Sequence, residues 1–171
     1  MIPTCLAAAL AACGGGAGSA KPPETSAQPE WEPPPFPTDG AIGAVGLKGP
    51  DKPWEELEWA DKKWFMIGNV HPVMQQVFET FPATADAFKE GGECAPCHGP
   101  EGKERKYAMP SDHLSALPPQ DSQDFEAMVH SRMGKFMSER VTVAMAKLLG
   151  KEPFDPATGE GVSCFMCHPR E

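Results

Sequence analysis

The pattern C-x-x-C-H occurs twice in this chain, as Cys94-Ala95-Pro96-Cys97-His98 and as Cys164-Phe165-Met166-Cys167-His168. No other feature constrains the fold so strongly. Two cysteines three positions apart share one short helical turn, and a histidine follows at once. That is the attachment pattern for c-type haem. The cysteines, Cys94 with Cys97 and Cys164 with Cys167, can form thioethers to the two vinyl groups of one porphyrin. His98 and His168 then lie beneath the iron as proximal ligands. The sequence therefore predicts two covalently bound haem c groups.

Other uses of the four cysteines account for less. A zinc ribbon spaces its pairs by about 15–20 residues, whereas Cys97 and Cys164 are 67 positions apart (164 minus 97). A thioredoxin-like pair needs a βαβ context, and no alternation of strands is visible. Structural disulfides suit an exported chain but do not call for histidine at the same place twice.

The segment before each motif is also repeated. Phe65-Met66, Val70, Met74 and Val77-Phe78 recur 71 residues later as Phe136-Met137, Val141, Met145 and Leu148-Leu149, and the motifs recur at 70. Each unit reads as a helix, a loop and a C-x-x-C-H turn, with units of about 51–110 and 121–171. The first helix carries Leu57, Ala60, Trp64, Ile67, His71, Met74 and Phe78 at helical spacing, with Gly68 and Pro72 placed to kink it. The second runs from Asp121 or Ser122 to Gly150, with Phe125, Val129, Met133, Phe136, Met137, Val141, Met145 and Leu148 facing inward. The expected class is all-α, a small dihaem cytochrome built from two such repeats.

The distal ligands are expected upstream of the motifs, because only Pro169, Arg170 and Glu171 follow His168. Met74 and Met145 are the leading candidates, 20 and 19 residues before Cys94 and Cys164. Thioether ligation favours reduced iron. Met66 and Met137 repeat as faithfully and are rivals, although methionine's usual role is to fill a core. His71 is a further rival whose repeat counterpart is Thr142. His113, in a Pro-rich loop, and His130, on a helix, suit the surface or a haem propionate better but complete the set.

The first residues set the compartment. A short apolar stretch ends in Leu10-Ala11-Ala12-Cys13, which resembles a bacterial lipobox, so residues 1–12 read as a signal peptide and Cys13 as the lipidated cysteine. Cys5 leaves with the signal. Residues 13–50 are rich in Gly, Pro, Ser, Ala and Glu, and the expectation is a disordered tether. The domain proper is expected at 51–171. Gly14, not an acidic residue, follows Cys13, which favours the outer membrane over the inner. The expected location is the periplasmic side of a bacterial membrane.

Taken together, Met74 with Cys94, Cys97 and His98, and Met145 with Cys164, Cys167 and His168, resemble the tetrahaem cytochrome subunit of photosynthetic reaction centres. The resemblance covers roughly Phe65 to Glu171. It implies Met-bearing helices before each motif and a lipid tether. This chain has two motifs where that family has four, so it resembles half of such a subunit, and a photosynthetic role does not follow.

The expected function is electron transfer between redox partners, not catalysis. A formal charge of −9 argues against nucleic acid, which needs a basic face, and favours a partner with a basic docking surface. The alternatives are a peroxidase-like haem enzyme and a gas-binding haem sensor, either of which needs one open iron site.

Overall fold

The computed structural model describes residues 31–88 and 94–171. The expected signal peptide, the lipidation site Cys13 and the start of the tether lie outside the described residues. Among those described, the chain is helical and forms no strand; isolated bridges pair Leu117 with Arg170, Pro153 with Val162 and Asp155 with Glu160.

The first repeat is one long helical rod interrupted in its middle. Helix α2 (Trp59–Phe65) runs into a π turn (Met66–Val70) and continues as α3 (His71–Glu79). The second repeats this plan, with α6 (Arg132–Phe136), a π turn (Met137–Val141) and α7 (Thr142–Leu148). Helix α1 (Gly40–Val45) precedes both, α4 (Ala95–His98) carries the first motif, and α5 (Gln123–His130) leads into α6. The π turns fall 71 residues apart. In each, a backbone N–H reaches back five residues, from His71 to the Met66 carbonyl and from Thr142 to the Met137 carbonyl. Such turns insert one extra residue and concentrate at functional sites. The two rods pack reciprocally, α3 against the second π turn and α7 against the first.

The extra residue rotates the buried stripe away from the one predicted for an uninterrupted helix. The core holds Val70, Val73, Met74, Val77 and Phe81 from the first rod, with Phe136, Ala144 and Leu148 from the second. Phe81 stacks on Phe136 with centroids 4.6 Å apart, and Phe78 meets Phe136 edge-on at 5.9 Å. Trp64 and Ile67, expected on the inward face, are 67% and 42% exposed, and Met133 is exposed too. Ala60 is also exposed. The inward residues where α2 meets the π turn are instead Phe65 and Met66, which pack on the core.

The expected continuous helix from residue 121 to 150 is broken at Ser131. Ser131 is extended (ψ 160°), ending α5 and capping α6, with its hydroxyl accepting from Gly134 N–H at 3.0 Å. A hydroxyl that competes for backbone N–H groups favours such a boundary. Ser122 caps α5 in the same way, accepting from Phe125 N–H at 3.1 Å.

Part of the expected tether is ordered on the domain. Within 31–50, Ile42 of α1 is buried in the core. The Gln76 side chain fastens that helix twice, accepting from Ile42 N–H at 2.8 Å and donating to the Asp39 carbonyl at 3.0 Å. Gly40, with φ +58°, sits so close that a Cβ would meet the Gln76 amide at 2.8 Å. Upstream, the Arg140 guanidinium donates to the Pro33 and Pro34 carbonyls, Pro33 is buried, and Trp31 packs edge-on to Phe81 at 5.2 Å. Composition alone marked this stretch as unable to build a core. It instead borrows one from the helices it lies on.

Candidate functional site

Each C-x-x-C-H closes a single turn with the same hydrogen bond. His98 N–H donates to the Cys94 carbonyl at 3.0 Å, and His168 N–H to the Cys164 carbonyl at 2.9 Å. The first turn belongs to α4; the second begins as a 3-10 turn, Cys164–Met166. That closure gathers two thiols and an imidazole on one turn, as the spacing predicts. All four cysteines are free thiols. Cys94 is exposed, and the other three are half-buried.

The chain leaving the first motif runs alongside the second. Ser111, fully buried, donates its N–H to the Cys167 carbonyl at 3.0 Å. Leu117 N–H donates to the Pro169 carbonyl at 2.9 Å, and Glu171 N–H returns to the Leu117 carbonyl at 3.1 Å. Between them, His168 Nδ1 lies 2.9 Å from the Ser115 carbonyl oxygen. A carbonyl only accepts, so Nδ1 carries the proton and Nε2 keeps its lone pair. A hydrogen bond of this kind at one ring nitrogen leaves the other free to bind a metal.

The two motifs come close. Burial first, then Cys167 and Cys94, push the Cys97 thiol up to about 11. Burial also raises Cys164 and Cys167, in Cys167's case with Cys164 adding to it. His98 is held below its ordinary value by burial and then by Arg105. A tight loop wraps it: Tyr107, left-handed at φ +56° after Lys106 at +53°, sets its ring edge-on to His98 at 5.3 Å. Arg105 itself reaches the Pro110 carbonyl at 3.3 Å and Asp112 at 3.4 Å. Unlike its counterpart, His98 has a buried Nδ1 with no hydrogen-bond partner among the described residues.

The methionines gather elsewhere. Met74 is 4% exposed inside the core between the rods, and Met66, Met137 and Met145 pack, partly buried, against the same cluster. His71 ends the first π turn, its ring edge-on to Phe88 at 5.5 Å. Its Nε2 is buried and, among the described residues, has no hydrogen-bond partner. His113 lies against Gly99 beside the first motif, and His130 ends α5; both are exposed.

Among the described residues, no three His, Cys, Asp or Glu side chains converge to hold a metal ion, so these residues do not assemble a four-cysteine zinc site. The donor chemistry does fit haem c. Each turn offers two unpaired thiols and one imidazole, and His168 presents a bare Nε2. Sequence reasoning missed the Ser115 carbonyl, because any residue type supplies one, and it missed the π turns. Gly68 and Pro72 flag the first turn, but the second has Glu139 and Val143 at those positions. Compared with known proteins, the chain matches no protein family, no curated protein and no solved structure at a significant level.

Proposed function

We propose that this chain is a dihaem c-type cytochrome that transfers electrons between redox partners on the periplasmic side of a bacterial membrane. The observation that supports it best is the pair of C-x-x-C-H turns closed by the same hydrogen bond, the second of them held by residues 111–117. Cys94 and Cys97 would hold one haem and Cys164 and Cys167 the other, with His98 and His168 as proximal ligands. When bound, each haem supplies a one-electron centre.

The polypeptide's part is to orient and to shield. Ser115 aims the His168 ring through its Nδ1. The loop carrying Arg105 and Tyr107 encloses the His98 ring. Met145, partly buried on the second rod, would be the thioether ligand of the second haem. A net charge of −9 suits transient, salt-sensitive docking to a basic partner. Lipidation at Cys13 would keep the domain at the membrane, with the outer membrane favoured.

The test is expression with the cytochrome c attachment machinery, followed by intact mass and carbon monoxide binding to the reduced protein. The expected product carries two haems, falling to one in Cys94→Ala/Cys97→Ala, with neither haem taking up carbon monoxide. Rapid uptake at one haem would favour a haem enzyme or gas sensor, and no covalent haem would sink the proposal.

A further inference from the structure

We infer that His71, through Nε2, is the distal ligand of the first haem, so that the two haems carry different axial ligands. This rests on the dihaem reading above. Three observations bear on it, and the first is unsatisfied polarity. Among the described residues, His71 Nε2 is buried without a hydrogen-bond partner, a costly state unless something binds the nitrogen. The Met74 thioether carries no such deficit. It is 4% exposed among Val70, Val73, Val77 and Phe136, and a sulfur packed among hydrocarbons is at rest there. An orphaned imidazole nitrogen needs a ligand; a packed methionine does not.

Position supplies the second observation. His71 closes the first π turn, its own N–H making the bond to the Met66 carbonyl. The following residue is Pro72, which has no N–H to give. The inserted residue turns the His71 ring onto Phe88, and Phe88 also meets Phe78 edge-on at 5.5 Å. Phe88 lies six positions before Cys94 (94 minus 88). The His71 ring thus meets Phe88, the last described residue before the first C-x-x-C-H turn.

The repeat supplies the third. Thr142 stands at the His71 position of the second rod, closing an equivalent π turn. A threonine hydroxyl is no match for imidazole as an iron ligand, so the second site has no histidine at this position, and Met145, only partly buried against the core where Met74 is 4% exposed, stays its thioether candidate. The first site is then bis-imidazole and the second imidazole–thioether. Thioether ligation raises the potential, so the first haem has the lower potential.

The experiment is near-infrared magnetic circular dichroism of the oxidised, two-haem, full-length protein, with potentiometry on the same sample. One bis-imidazole and one imidazole–thioether signature are expected, with two separated reduction waves. His71→Met should convert the first signature to thioether and raise the lower wave alone. Met74→Leu, an apolar substitution of similar volume, should leave both signatures unchanged, and it tests the assignment even if His71→Met folds poorly. Two thioether signatures in the native protein, or loss of one in Met74→Leu, would overturn the assignment while leaving the dihaem reading intact. A mass without two haems would remove both.

Discussion

His168 Nδ1 stands 2.9 Å from the Ser115 carbonyl oxygen, and that contact ties the second attachment turn to the strip of chain that leaves the first. Ser111 and Leu117 bond to the same turn from either side. The two motifs therefore share one support, although 67 residues separate Cys97 from Cys164 (164 minus 97). Among the described residues, His98 has no such partner at Nδ1. The two C-x-x-C-H turns thus sit in unlike surroundings, which their shared pattern does not distinguish.

The core between the rods depends on Phe136, which is fully buried and stacked on Phe81. Phe136→Ala removes that ring from a site lined by both repeats. The expected loss is about 3–5 kcal/mol, read as a lower urea midpoint with little change in slope. Phe136→Leu should cost less, because the volume is largely kept.

Gly134 gives a prediction whose sign is informative. In an ordinary helix interior, glycine to alanine gains about 1 kcal/mol. Here a Cβ would collide with the Met128 carbonyl and lie 2.7 Å from Val129 Cα. Gly134→Ala should therefore destabilise the corner between α5 and α6. A raised thermal midpoint would show that the two helices do not approach this closely in solution.

Arg140 holds the segment around Pro33 and Pro34 by donating to both carbonyls, and its guanidinium also lies over the Phe36 ring at 5.5 Å. Hydrogen bonds from a charged group contribute about 1.5–3 kcal/mol, less where water competes. Arg140→Ala should free residues 31–37 while the rods stay folded. Limited proteolysis should then cut in that stretch at least about tenfold faster, the equivalent of roughly 1.4 kcal/mol.

The Cys97 thiol makes the haem-free chain sensitive to alkali. Its folded value is raised from 9.0 to about 11, chiefly by burial. Between those values the folded chain keeps a proton that the unfolded chain releases, so stability falls as pH rises. The slope reaches at most about 1.4 kcal/mol per pH unit. Urea titrations across that window should show the fall, and Cys97→Ala should make it shallower, leaving the part due to the raised Cys164 and Cys167 thiols. Below 9.0 the two chains should show no difference in slope from this group.

Much of this arrangement was legible in the sequence. The paired motifs, the 71-residue repeat and the helical character follow from residue spacing, because motif spacing and helix periodicity are both local rules. The inward stripe was legible only up to the π turns. Periodicity arguments assume 3.6 residues per turn throughout, and one inserted residue turns Trp64 and Ile67 outward while Phe65 and Met66 turn in. The break at Ser131 was written in its hydroxyl, but an apolar stripe on both sides concealed it.

By itself the sequence determined which residues can carry the chemistry. Cys94, Cys97 and His98, and Cys164, Cys167 and His168, are set by chemical type and spacing along a few bonds. Only the tertiary structure decided which long-range partners those residues meet. It laid residues 31–50 on the helices, put Met74 in the core, left His71 Nε2 buried without a partner among the described residues, and brought the Ser115 carbonyl to His168. Those outcomes depend on which groups lose water and which find a partner across the fold, and no spacing rule encodes either.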